Sequence, residues 1–192
     1  TISIFDVIGE DYWSGGGFTA KRMEAALRSI GAAKPVTVAI NSPGGDVFEG
    51  MTIFNLLRAH KGEVTVKVMG IAASAASIIA MAGDRIIMGV GSVLMIQNSW
   101  GLTLGNRHAH AESREVLGLI DGEMAAVYAA RSGKSLTDIA AMMDGERHGA
   151  DGTYMSAATA VEKGFADAVA DLPAPSASLR ADIAARRRIA AE

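Results

Sequence analysis

The sequence predicts an α/β domain with parallel crossovers, and three observations carry that expectation. Short β-branched runs alternate with amphipathic stretches through the first half of the chain. Gly- and Pro-rich turns separate them. About half of the 192 residues are apolar, enough to bury one good core.

Ile2 to Ile8 alternates and reads as a first strand, broken by Gly9 and a polar, Gly-rich stretch over 10–17. Thr19 is the N-cap of a helix over Ala20 to Ile30, with Met23, Ala26, Leu27 and Ile30 at helical spacing and Gly31 as the stop. Pro35 precedes a second strand, Val36 to Ile40. Asn41-Ser42-Pro43-Gly44-Gly45 is the sharpest turn signal, and a helix from about 46 to 60 follows, with Met51, Phe54, Leu57 and Arg58 as one stripe. A third strand, Val64 to Val68, runs through Gly70-Ile71-Ala72-Ala73-Ser74-Ala75-Ala76-Ser77 into a helix of small residues. Crossovers between such strands are right-handed, and active groups gather where strands end and helices begin.

Arg85 to Met88 and Ser92 to Ile96 read as further short strands, and a polar loop over 97–106 leads to a long helical pattern from Arg107 to Ser132. Its stripe is Leu117, Ile120, Met124 and Val127; a helix this long carries more apolar surface than one domain covers, which predicts a partner subunit. Ser135-Leu136-Thr137-Asp138 is a capping box for a helix to Met143. A charged, Gly-rich loop spans 144–152, Ser156 caps a helix to Lys163, and Phe165 to Val169 closes the domain. Pro173 and Pro175 mark a boundary, so the expected organisation is one domain over 1–172 and an Ala/Arg-rich helical tail over 173–192.

The formal net charge of −3, with both signs interspersed, argues against a nucleic-acid surface or a membrane face. With no cysteine, disulfides, thiolate metal sites and a cysteine nucleophile are excluded. The first residues read as a strand rather than a signal peptide, and the longest apolar run, near Ser74 to Ala82, is too short to span a bilayer. A cytoplasmic protein is the expectation. No metal-ligand spacing is visible, and Gly15-Gly16-Gly17 lacks the Lys-Ser/Thr of a phosphate-binding loop, so neither metal nor cofactor is expected.

Ser74 is the first candidate for chemistry. A hydroxyl in the first turn of a helix lies beside unpaired backbone N–H groups and the positive end of the dipole, which favours an oxyanion formed there. The structural alternative is an N-cap serine on a buried Ala-rich helix. Tyr12, Trp13 and Trp100 read either as loop anchors lining a substrate groove or as core filling, and Met142 and Met143 as core filler.

With Ser-Pro-Gly-Gly after one strand and Gly-x-Ala-Ala-Ser after the next, followed by Met95-Ile96-Gln97-Asn98-Ser99-Trp100-Gly101, the chain resembles the proteolytic subunit of the Clp protease family over about Ile4 to Val169. It is most similar to the shorter branch encoded by phages and prophages, the head-maturation proteases. The resemblance implies a ClpP/crotonase-like spiral of ββα units with a long protruding handle helix, here 107–132. It also implies a serine endopeptidase forming an acyl-enzyme on peptide or protein substrates. The implied assembly is a homo-oligomeric ring, stacked in pairs through the handle, with an AAA+ unfoldase or capsid proteins as candidate partners. Carried over by position, Ser74 is the nucleophile, and Gly45 and Ala75 supply the two oxyanion-hole N–H groups.

Two positions depart from the family pattern. Where the family carries its histidine base, this chain has Gln97, an amide that can hold Ser74 but cannot take its proton. The family places a carboxylate four residues before the Ser/Thr that caps the next helix; counting back from Ser156 lands on Gly152, and Asp151 is one position away. Asp151 is the candidate orienting acid, against a solvated loop charge. His108, His110 and His148 are replacement bases to weigh against surface histidines; His60 reads as a helix C-cap, and Lys67 as facing solvent from the third strand. Three functions follow: a Clp-like serine endopeptidase weakened at its base, a catalytically silent ring subunit or scaffold, and a crotonase-type acyl-CoA enzyme.

Overall fold

The computed structural model describes residues 1–10, 15–145 and 152–171. Strands β1 (Ile2–Ile4), β2 (Val36–Ser42), β3 (Val64–Ala73), β4 (Arg85–Met88) and β7 (Ala168–Val169) form a parallel sheet in that order. Strand β5 (Val93–Ile96) pairs in parallel with the far end of β3, and β6 (Thr153–Ser156) pairs antiparallel with β5. The mixed α/β fold and its parallel sheet match the reading of the sequence.

The ten residues of β3 organise the sheet. Thr65 to Val68 pair with β4, whereas Ile71 to Ala73 pair with β5, so the sheet forks at the end of β3. On the other side β2 slips register between Ile40 and Ser42, and the Asn41 side chain accepts from the Ile71 N–H at 3.2 Å across the irregularity. Ser42 then pairs with Ala72, and Ala73 with Met95. The carboxyl ends of β2, β3 and β5 therefore lie side by side.

Helices α1 (Ala20–Ile30), α2 (Val47–Arg58), α3 (Ala75–Ala80), α4 (Arg107–Ser132), α5 (Leu136–Asp144) and α6 (Ala157–Glu162) complete the fold. Their starts are chemically marked: Thr19, Asp46, Asn106, Ser135 and Ser156 each accept a backbone N–H of the following turn. One hydrophobic cluster joins sheet and helices, with Ile40, Val66, Val68, Ile78, Ile79, Ile86, Tyr128 and Phe165 fully buried. Within β3, Val64, Val66 and Val68 are buried while Lys67 and Met69 are exposed, so Lys67 faces solvent as its alternation predicts. No helix among the described residues is long and apolar enough to cross a membrane.

Three expectations need correction. The first strand ends at Ile4, because Ile8 turns away to bridge Phe18 and Gly45 instead of continuing along β2. In α2 the buried residues are Gly50, Ile53 and Leu57; Met51 and Phe54 flank the core. In α4 the expected stripe holds at Ile120, Met124 and Val127, which meet the core, but not at Leu117; Ala125 and Tyr128 complete the buried face, and Val116 and Leu119 are exposed. A short strand, β6, also fills the gap between the loop over 144–152 and the helix after Ser156, which the sequence reading left unassigned.

Candidate active site

Ser74 joins β3 to α3 with φ 54° and ψ −128°, the one non-glycine residue with positive φ among those described. A backbone of this kind costs about 1–3 kcal/mol and persists where surrounding structure enforces it. The enforcement is visible. The Ser74 N–H donates to Met95 O at 3.0 Å, and its carbonyl accepts from the Ser77 N–H at 2.9 Å and the Ser77 hydroxyl at 2.6 Å. The side chain makes no capping bond to α3, so the reading of Ser74 as an ordinary N-cap fails. Ser74 itself is half-buried.

Gly44 closes against this turn. A Cβ there would stand 2.7 Å from the Ser74 Cβ, 2.6 Å from Ala73 O and 3.1 Å from Ala75 N, and its φ is 98°. Any side chain would push the two turns apart. The buried Ser42 hydroxyl accepts the Gly44 N–H at 3.2 Å and tightens the bend. Gly44 O and the Asp46 N–H are both bonded to Ile8. A parallel bridge of this kind leaves the N–H of the residue between, Gly45, directed away from Ile8. Gly45 itself is exposed. Ala75 is the first residue of α3, so its N–H has no carbonyl four residues back within the helix.

Gln97 follows β5 directly and sits half-buried beside the turn, its Nε2 donating to Ser74 Oγ at 3.2 Å. The hydrogen bond thus runs into the serine oxygen. A base would accept from it, which an amide N–H cannot do. The loop beyond is pinned to α4: the Ser99 N–H and hydroxyl both donate to Asp121, at 2.6 and 2.7 Å. The Asn98 amide donates to Asp144 at 2.7 Å.

Gly152 is pressed onto the other side of Gln97. With φ 59°, a Cβ there would lie 2.1 Å from Ile96 O and 2.6 Å from the Gln97 Cβ. The position four before Ser156 therefore has no room for a carboxylate, which explains why glycine stands there. Asp151 lies outside the described residues, as do His148, Tyr12 and Trp13.

The remaining candidates fall elsewhere. His108 and His110 are exposed in the first turn of α4, whose N-cap Asn106 bonds the His108 N–H. The His60 ring bonds Lys34 O at 2.8 Å, a structural link between two loops. Trp100 is 80% exposed, which rules out core filling, while Met143 is buried and Met142 packs against the core. Among the described residues no cluster of His, Cys, Asp or Glu could hold a metal ion.

The sequence reading missed Ser77 and Tyr128. The Tyr128 hydroxyl lies 2.7 Å from Ser77 Oγ, fully buried, with its ring edge-on to Phe165 at a centroid distance of 6.2 Å. Desolvation pushes the phenol pKa well above its usual range, the Ser77 hydrogen bond opposing it only in part. The available signal was the step of four from Met124, which continues the buried face of α4.

The sequence profile of the Clp protease family matches residues 20–172. The chain belongs to the Clp protease family. The proteolytic subunit of the ATP-dependent Clp protease from Chlorella vulgaris is 32% identical over 140 residues, covering 71% of this chain and 66% of that protein. Its counterpart from Pleurastrum terricola is 33% identical over 141 residues, 72% and 68% of the two lengths. Subunit 2 from Treponema denticola is 44% identical over a shorter match of 59 residues, 31% of this chain and 30% of that protein. This Clp family chain spans about two thirds of the length of the first two relatives. A ClpP1 mutant from Listeria monocytogenes superimposes with a TM-score of 0.71 over 89% of this chain and 91% of its own, at 22% identity, so it shares the fold.

Proposed function

We propose that this Clp family chain is a serine endopeptidase whose acyl-transfer site is held in place but lacks its base. Ser74 Oγ attacks a peptide carbonyl, the O–C bond forms, and the oxyanion is held by the N–H groups of Gly45 and Ala75. The amine leaves with a proton, and water releases the acyl group from Ser74. One observation carries the reading: a strained, uncapped serine at a strand-to-helix junction, in contact with a glycine turn from the neighbouring strand. Asp151 is the orienting acid in this reading.

Gln97 takes the base position, so the serine proton has no side-chain acceptor there and must go to water. Loss of a triad base typically costs several powers of ten and leaves the residual acceleration of binding and the oxyanion hole. The N–H of Gln97 directed at Ser74 Oγ favours a second reading, a silent ring subunit that keeps the fold. A fluorophosphonate probe separates the two. Labelling that disappears in Ser74→Ala supports the peptidase, and absence of labelling in both chains supports the silent subunit.

The exposed Trp100, Leu102, Leu104, Val116 and Leu119 extend from the loop after Gln97 along the free half of α4. We assign this surface to assembly into a homo-oligomeric ring, stacked through α4. The likeness to the shorter phage and prophage branch supports a role in processing phage proteins, with an unfoldase or capsid proteins as partners.

A further inference from the structure

We propose that Ser77 and Tyr128 are positioning residues that aim one oxyanion donor, the Ala75 N–H, from a distance. The inference rests on the reading of Ser74 and Ala75 given above. Ser77 has a single O–H, and it is spent on the Ser74 carbonyl at 2.6 Å. The 2.7 Å contact between Ser77 Oγ and the Tyr128 hydroxyl must then have Tyr128 as donor. The bonds form a directed chain: the Tyr128 O–H donates to Ser77 Oγ, and the Ser77 O–H donates to Ser74 O. Burial keeps the phenol protonated, so the first donor in the chain is permanent.

The Ser74 carbonyl and the Ala75 N–H belong to one trans peptide plane and point in opposite directions. Fixing the carbonyl toward Ser77 therefore turns the N–H the other way, out of the first turn of α3 toward the Gly44 bend. With φ 54° and ψ −128°, this plane is held in a sparsely populated orientation. The carbonyl also accepts the Ser77 and Ile78 N–H groups, at 2.9 and 3.4 Å, so weakening the hydroxyl bond loosens the plane without freeing it, and the N–H is aimed less closely at the developing oxygen. The Tyr128 ring is set by packing, edge-on against Phe165, and belongs to α4, so the donor is aimed by a helix that otherwise has no part in the chemistry.

The test uses the full chain carrying Gln97→His, with steady-state cleavage of a fluorogenic peptide and fluorophosphonate labelling as readouts. Tyr128→Phe keeps the ring and removes the donor; it should lower kcat by about ten- to a hundredfold with KM within about twofold, because the misaligned N–H acts on the transition state alone. Ser77→Ala removes the bond to the Ser74 carbonyl itself and should lower kcat at least as much, and the double variant should be no worse than Ser77→Ala, since Tyr128 acts through Ser77. Turnover unchanged in Tyr128→Phe overturns the inference while leaving the peptidase reading intact. The same holds if Tm falls but kcat per folded molecule does not. If the Gln97→His chain shows neither Ser74-dependent turnover nor labelling, the peptidase reading itself fails, and this inference with it.

Discussion

Gly152 lies against Gln97 so closely that a Cβ would meet the Gln97 Cβ at 2.6 Å. The glycine four residues before Ser156 is thus the floor on which Gln97 rests. Gly152→Asp should fail to create a working acid. A side chain at φ 59° beside Ile96 O costs about 2 kcal/mol or more and displaces Gln97. Chemical denaturation should show the loss, and a variant as stable as the parent with faster peptide cleavage would refute this account.

The other side of this contact can be changed as well. Gln97→His should raise peptide hydrolysis by orders of magnitude if the proton acceptor is the missing part. The rate should climb with pH through about 6.5, where an ordinary imidazole loses its proton. A pH-rate profile flat over that range, or activity no higher than the parent, would place the defect elsewhere.

The strain at Ser74 is open to measurement by substitution. Ser74→Gly should be more stable than Ser74→Ala by about 1 kcal/mol, because glycine adopts positive φ freely whereas alanine keeps the steric conflict. Urea unfolding of the two inactive variants compares them without any contribution from the hydroxyl. Equal stabilities would mean that the turn is unstrained.

Gly44→Ala should be among the most damaging small substitutions. Its methyl would lie 2.6 Å from Ala73 O and 2.7 Å from the Ser74 Cβ, separating two turns that must stay in contact. Expected outcomes are a loss of about 2 kcal/mol or more and no fluorophosphonate labelling of Ser74 in the remaining folded fraction. Undiminished labelling would show that the contact is dispensable.

Tyr128 gives the protein an alkaline limit. Its phenol binds a proton more tightly in the native state than in the unfolded chain, where the pKa is about 10. Below that pH its contribution is constant; above it, unfolding releases the proton and stability falls by about 1.4 kcal/mol per pH unit. Tyr128→Phe lacks this slope, so the difference between the two chains in urea unfolding should shift between pH 9 and pH 11 against the parent. A difference independent of pH would contradict the assignment.

Local chemistry made much of the fold legible. Thr19, Ser135 and Ser156 cap helices where their spacing placed them, and the long helix runs from Arg107 to Ser132 as its pattern predicted. The meeting of Ser74 with Gln97 came from family resemblance, because a contact between strands separated by a helix and another strand leaves no periodic trace. The bond from Ser77 to Tyr128, across 51 residues, was invisible for the same reason, and the short antiparallel β6 was hidden by its turn-like neighbours. The forked end of β3 decides which residues meet, and such forks follow from register rather than composition.

Helix α3 begins without a side-chain cap, yet all six of its residues are buried. Tertiary packing does the work that a capping serine would otherwise do, so the architecture does not depend on how the hydroxyl is used. Chemistry and scaffold can diverge on such a frame. On this frame the residue beside Ser74 can change while the fold stays the same.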